Sequence, residues 1–106
     1  MNYPNCWAII KIIAPETIYK VLAGWSGSYL YGNSWQLNSG IVKVEEDGDY
    51  FLFSGHSGSV YKCHKHTYGI SMATASVWDT MQTTYPGKVE LMDENNDWAK
   101  LIMEKV

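Results

Sequence analysis

Apolar residues run almost without interruption from Trp7 to Ile13, broken only by Lys11. The run is short and β-branched, which predicts a strand buried on both faces and central in a sheet. Pro15 ends it. The segment from Glu16 to Trp25 fits two periods. Ile18, Val21, Leu22 and Trp25 keep helical spacing, with Pro15 suited to a first turn and Gly24 to a stop. Thr17, Tyr19, Val21, Ala23 and Trp25 also alternate as a strand does. The hairpin-like residues that follow favour the strand.

Gly24 to Asn33 mixes Gly, Ser and aromatic residues, and in an extended piece Tyr29 and Tyr31 share one side. Trp35 to Leu37 and Ile41 to Glu46 read as strand, with Asn38-Ser39-Gly40 as a bend or bulge between them. Asp47-Gly48 is a favoured two-residue hairpin turn, so Glu46 is expected opposite Asp49, Val44 opposite Phe51 and Val42 opposite Phe53. His56-Ser57-Gly58 fits a three-residue loop with Gly in the left-handed position, which sets Phe53 opposite Tyr61 and Phe51 opposite Cys63. Both turns assign Val42, Val44, Phe51, Phe53, Tyr61 and Cys63 to one buried face. The outer face then carries Ile41, Lys43, Glu45, Tyr50, Leu52, Val60, Lys62 and His64, a mixture that is neither plainly solvated nor plainly core.

Beyond Gly69, Ser71 is placed to cap a helix running to about Thr83, with Ala73, Val77 and Met81 on one stripe and Trp78 beside it. Six Ser or Thr residues from Ser71 to Thr84 make that helix dependent on tertiary packing. Pro86-Gly87 stops it. Val89 to Leu91 reads as a short strand. Asn96 or Asp97 then caps a terminal helix that turns Trp98, Leu101 and Ile102 inward.

The pattern predicts one α+β domain over residues 1–106, an antiparallel β-meander packed against one or two helices. A five-stranded oligonucleotide-binding barrel is the alternative, disfavoured because the chain ends in a helix. Composition agrees with a globular domain: 46% hydrophobic and 18% charged residues in a chain of 106. Five Trp and eight Tyr supply large buried area and polar edges.

Charge narrows the function classes. The net charge is −3, and all 8 basic residues are Lys. Without Arg there is no planar fork for bidentate phosphate or guanine contacts, which argues against a reader of duplex nucleic acid. The longest apolar stretch is too short to span a bilayer, and the residues from Met1 to Pro4 lack a signal-peptide pattern. A cytoplasmic protein with Cys6 and Cys63 as free thiols is expected.

Candidate chemistry is sparse. His64 and His66 have chelating spacing on a strand, but Cys63 beside His64 points away from them, so Cys63-His64-Lys65-His66 offers no three-ligand metal site. Cys63, buried beside Phe51 and unable to reach the adjacent His64, is a poor nucleophile. Asp93, Asn95, Asp97 and Glu104 match four positions of a calcium loop, but Trp98 replaces its required Gly, and a turn with a helix cap explains the acids. The loops from Gly24 to Gly32 and from Ser54 to Ser59 lack the spacing of a phosphate cradle. No metal or cofactor is expected, and an enzyme centred on His56, His64 and His66 ranks last. The aromatic cluster Trp25, Tyr29, Tyr31 and Trp35, with Tyr50, Lys62 and His64 on the outer sheet face, is the candidate surface for a partner or ring-shaped ligand.

The stretch Ser34-Trp35-Gln36-Leu37-Asn38-Ser39-Gly40, followed by VKVEEDGDYFLF and SGHSGSVYKCHKHTYG, resembles a group of small uncharacterised proteins of tailed bacteriophages. The resemblance covers roughly residues 22–69 and brings no site residues with it. It implies a phage accessory protein in the host cytosol. The functions expected are therefore a non-enzymatic binding protein acting on a host protein or defence factor or, as the alternative, a binder of small molecules or nucleotides by aromatic stacking.

Overall fold

The computed structural model of the chain describes residues 1–13, 15–26 and 33–105. In chain order the elements are β1 (Cys6–Ile12), β2 (Ile18–Trp25), β3 (Ser34–Leu37), β4 (Ile41–Asp47), β5 (Tyr50–Gly55), β6 (Val60–His64), α1 (Ala75–Thr84), β7 (Val89–Leu91) and α2 (Trp98–Lys105). They build an α+β fold of two antiparallel sheets, ordered β3-β2-β1-β7 and β4-β5-β6. The second is the expected meander. The first was only partly legible in the sequence: β1 is central, as its continuous apolar run requires, and the ambiguous segment at 16–25 is a strand.

β1 and β2 are apolar on both faces because each face meets a different layer. Trp7, Ile9, Tyr19, Val21 and Ala23 pack towards the meander, where Ile41, Phe53, Tyr61 and Cys63 complete a single buried cluster with Trp98 and Ile102 of α2. Ala8, Ile10 and Leu22, also fully buried, alternate to the other side. There α1 crosses the sheet. A Cβ on Gly24 would lie 2.9 Å from Ser71 Oγ and from Thr74 Cγ2, so the chain entering α1 sits directly on the β2 backbone.

Trp7 is the hub of the core. Its ring lies 4.7 Å from Tyr68, 5.3 Å from Phe53, 6.1 Å from Phe51 and 6.2 Å from Trp98, centroid to centroid. Its Nε1 donates to the His64 carbonyl at 2.7 Å, so this buried indole leaves no polar atom unmet. Where β1 and β7 splay apart, the Tyr68 hydroxyl bridges them. It accepts from the Ile9 N–H at 3.1 Å and donates to the Met92 carbonyl. Burial pushes that hydroxyl up to about 12, and pushes the Cys63 thiol far above its ordinary value.

The meander corrects the expected register in two places. Asp47 pairs with Tyr50, so Gly48 and Asp49 form the turn, and Val44 faces Phe53 instead of Phe51. Gly48 holds φ 58 while no described non-glycine residue has positive φ, the pattern of a type II′ turn. The Asp47-Gly48 type I′ turn needs positive φ at both central residues, which Asp47 avoids. The slip is two residues, so side chains keep their faces. The second correction exchanges two residues. A β-bulge between Ile41 and Lys43 leaves Val42 unpaired and 51% exposed, while Ile41 turns inward opposite Gly55. The His56-Ser57-Gly58 loop stands as expected: Phe53 faces Tyr61, Phe51 faces Cys63, and Gly58 has φ 96.

Asn38-Ser39-Gly40 carries the chain from one sheet to the other. Buried Asn38 extends the β2 edge, its N–H donating to the Val21 carbonyl at 3.1 Å and its Oδ1 accepting from the Val21 N–H at 2.9 Å. At the far end Asp97 caps α2, with Oδ1 accepting from the Lys100 N–H at 3.1 Å. α1 is shorter than expected. Ser71 to Thr74 form a turn, the helix begins at Ala75, and none of its residues is fully buried. No helix among the described residues is long and apolar enough to cross a membrane.

Candidate functional site

The outer face of the meander brings three of the sequence-derived candidates together. Strand pairing lays it out as rows: Lys43, Ser54 and Val60; then Glu45, Leu52 and Lys62; then Asp47, Tyr50 and His64. Tyr50 and His64 are directly opposite, their rings 5.0 Å apart and edge-on. Lys62 reaches diagonally across the sheet, with Nζ 4.8 Å from the Tyr50 ring centre and 3.5 Å from Asp47 Oδ2. Lys43 pairs with Glu45 at 2.8 Å, and that hydrogen bond raises the lysine above its usual value. On the rim, Lys65 holds Glu46 at 2.8 Å and lies over Phe51. Tyr50, Leu52, Lys62 and His64 are all half-buried. The face is strand-paired across its width, aromatic at one end and electrostatically self-paired.

His66 does not share a strand with His64. It follows the end of β6, its N–H donates to His64 Nδ1 at 3.1 Å, and the two rings are 5.5 Å apart. That bond occupies one of the two imidazole nitrogens a metal would use. Among the described residues no group of three His, Cys, Asp or Glu side chains converges on one point. The acids at 93–97 serve a turn and the α2 cap, with Asp93 Oδ1 accepting from the Asn95 N–H at 2.8 Å. Cys63 is buried in the core, and Cys6, whose thiol burial raises, donates to the Gly69 carbonyl at 3.2 Å.

The aromatic loop cluster is split by the sheet. Trp25 faces the meander, half-buried, its Nε1 donating to the Tyr3 carbonyl at 2.9 Å. Trp35 pairs with Gly24 and so points to the α1 side, 48% exposed. Opposed residues on neighbouring strands share a face and adjacent ones do not, so these two indoles cannot form one platform. Tyr29 and Tyr31 lie outside the described residues.

A second concave region carries residues that the sequence did not single out. Between the C-terminal half of α1 and the four-stranded sheet lies a cleft of about 380 Å³, lined by Ile18, Leu37, Met81, Tyr85 and Val89 with Lys20 and Lys88. A shallower groove shares Leu37 and Met81 with it and runs on to Trp35. Its one sequence signal was the apolar even-numbered face of β2, Ile18 and Leu22, which required a covering layer. No protein-family model, curated protein or solved structure matches this chain.

Proposed function

We propose that the protein is a non-enzymatic binding protein that recognises a partner protein through the outer face of its meander. The observation that carries this reading is the cluster of Tyr50, Lys62 and His64, held half-exposed on the paired strands β5 and β6. Interface anchors are typically aromatic side chains that lose little rotamer entropy on binding, and strands hold these in place beforehand. The charges beside them are mutually paired, which favours a short-range, shape-dependent contact over steering by net charge. The resemblance over residues 22–69 makes a phage accessory protein acting on a host protein or defence factor in the host cytosol the biological setting of the proposal.

A photo-crosslinking residue at Lys43, on this face, tests it against the same residue at Gln82 on exposed α1. A host protein should be captured from Lys43 and not from Gln82. Capture should fail with Tyr50→Ala and His64→Ala combined while the circular dichroism spectrum is unchanged. Equal capture from both positions, or capture that survives the double substitution, would contradict the reading.

A further inference from the structure

The cleft beneath α1 differs from the charged outer face of the meander. Lys43, Lys62 and Lys65 are each held by a carboxylate on the meander. Lys20 and Lys88 both line the cleft, and neither forms an ion pair among the described residues. In a chain of net charge −3, two unneutralised ammonium groups at one apolar opening are a local reversal of sign. The wall between them is aliphatic and aromatic: Ile18, Leu37, Met81, Tyr85.

The cleft follows from how α1 is seated. Its N-terminal approach is pinned against the backbone of Gly24 by Ser71 and Thr74. Farther along, no residue of α1 is fully buried, and Met81 and the following Tyr85 overhang the sheet instead of closing on it. The result is a wedge, closed at Gly24 and open at Lys20 and Lys88, with an apolar extension towards Trp35. Its volume lies in the range of small-ligand sites, roughly 300–1,000 Å³.

From this geometry we infer that the cleft binds a single-chain amphiphilic carboxylate, a medium-chain fatty acid free in solution. The alkyl chain lies along Leu37 and Met81, and the carboxylate sits at the mouth between Lys20 and Lys88. Ammonium groups on flexible stems suit a small anion that needs charge more than a planar fork. Apolar burial supplies the affinity, and the two lysines supply the preference for an acid over a neutral chain.

The methionines make the test site-specific. Five methyl groups report from Met1, Met72, Met81, Met92 and Met103, and only Met81 lines this cleft. Octanoate titrated into protein labelled at the methionine methyls should move the Met81 signal saturably and leave Met72 and Met103 in place. Octanol should bind at the same methyl about fivefold to tenfold more weakly, the effect of two partly exposed charge pairs. Lys20→Gln combined with Lys88→Gln should abolish that preference while octanol binding persists, which separates lost charge from a lost fold. Equal affinities for octanoate and octanol would overturn the proposal. So would shifts centred on Met103, the absence of a saturable shift at Met81, or binding of octyl phosphate without octanoate.

Discussion

The two faces of the four-stranded sheet are built from the same kind of residue and closed in different ways. Towards the meander, Trp7, Ile9, Val21 and Ala23 meet a second sheet and α2, and rings interlock around the Trp7 indole. Towards α1, Ala8, Ile10 and Leu22 are just as deeply buried, yet the helix above contributes no fully buried side chain. One face is a packed core whose hub indole and bridging Tyr68 hydroxyl are both hydrogen-bonded. The other is covered by a lid whose N-terminal approach is seated on Gly24. Apolar alternation sets which residues leave water, but the covering element decides whether the result is a core or a site.

Breaking the packed face should have the largest effect. Trp7→Ala removes the hub indole and is expected to cost about 3–5 kcal/mol, much of the stability of a domain this size. Chemical denaturation would measure it, and a loss below about 1 kcal/mol would mean that the rings do not interlock as described.

The same face makes the protein sensitive to alkali. The Cys63 thiol is raised above its ordinary value of 9.0, and Tyr68 from 10.0 to about 12, so the folded state holds protons that the unfolded state releases. That stabilisation is complete below about pH 9. It falls as pH rises, first through the thiol and then between 10 and 12 through the tyrosine. Stability measured by denaturation should therefore hold from pH 7 to about 9 and drop from there to pH 11, approaching about 1.4 kcal/mol per pH unit for Cys63 alone. Cys63→Ala should flatten the first part of that decline.

Gly24→Ala sharpens the contrast from the other side. The new Cβ would press on Ser71 and Thr74, at an expected cost of about 1–3 kcal/mol. Loss of α1 helicity with the near-ultraviolet tryptophan signal retained would place the damage at the lid alone. The smallest effects belong to the two proposed surfaces. Tyr50→Ala and His64→Ala should each cost about 0.2–1 kcal/mol through lost cross-strand contact, and Lys20→Gln and Lys88→Gln should stay within about 0.5 kcal/mol.

Much of the packed face was legible along the chain because its signals are local. The continuous run from Trp7 announced a central strand, and the Gly at position 58 set the register of Phe51 and Phe53 against Cys63 and Tyr61. The departures arose where local preference was outvoted. Asp47-Gly48 is a good type I′ pair, but Gly48-Asp49 makes a type II′ turn with glycine as the only residue at positive φ. The bulge at Val42 has no sequence mark, and it exchanges Val42 for Ile41 in the core. Of the candidate site, Tyr50, Lys62 and His64 were found because strand alternation brings them to one face. Trp25 and Trp35 were grouped by composition, and the pairing of Trp35 with Gly24 separates them. The cleft was illegible because Lys20 and Lys88 are far apart in sequence and come to one opening only when β7 pairs with β1 beside β2 and α1 lies over the sheet.

Native-state hydrogen exchange tests the contrast between the two faces most directly, because it reads the opening free energy of each element separately. The amides of β1 and β2 from Trp7 to Val21 should exchange only through global unfolding. Those of α1 from Val77 to Thr84 should open locally at a free energy several kcal/mol lower. Equal protection of α1 and β1 would show that the helix is part of one cooperative core, and would contradict a lid seated only at Gly24.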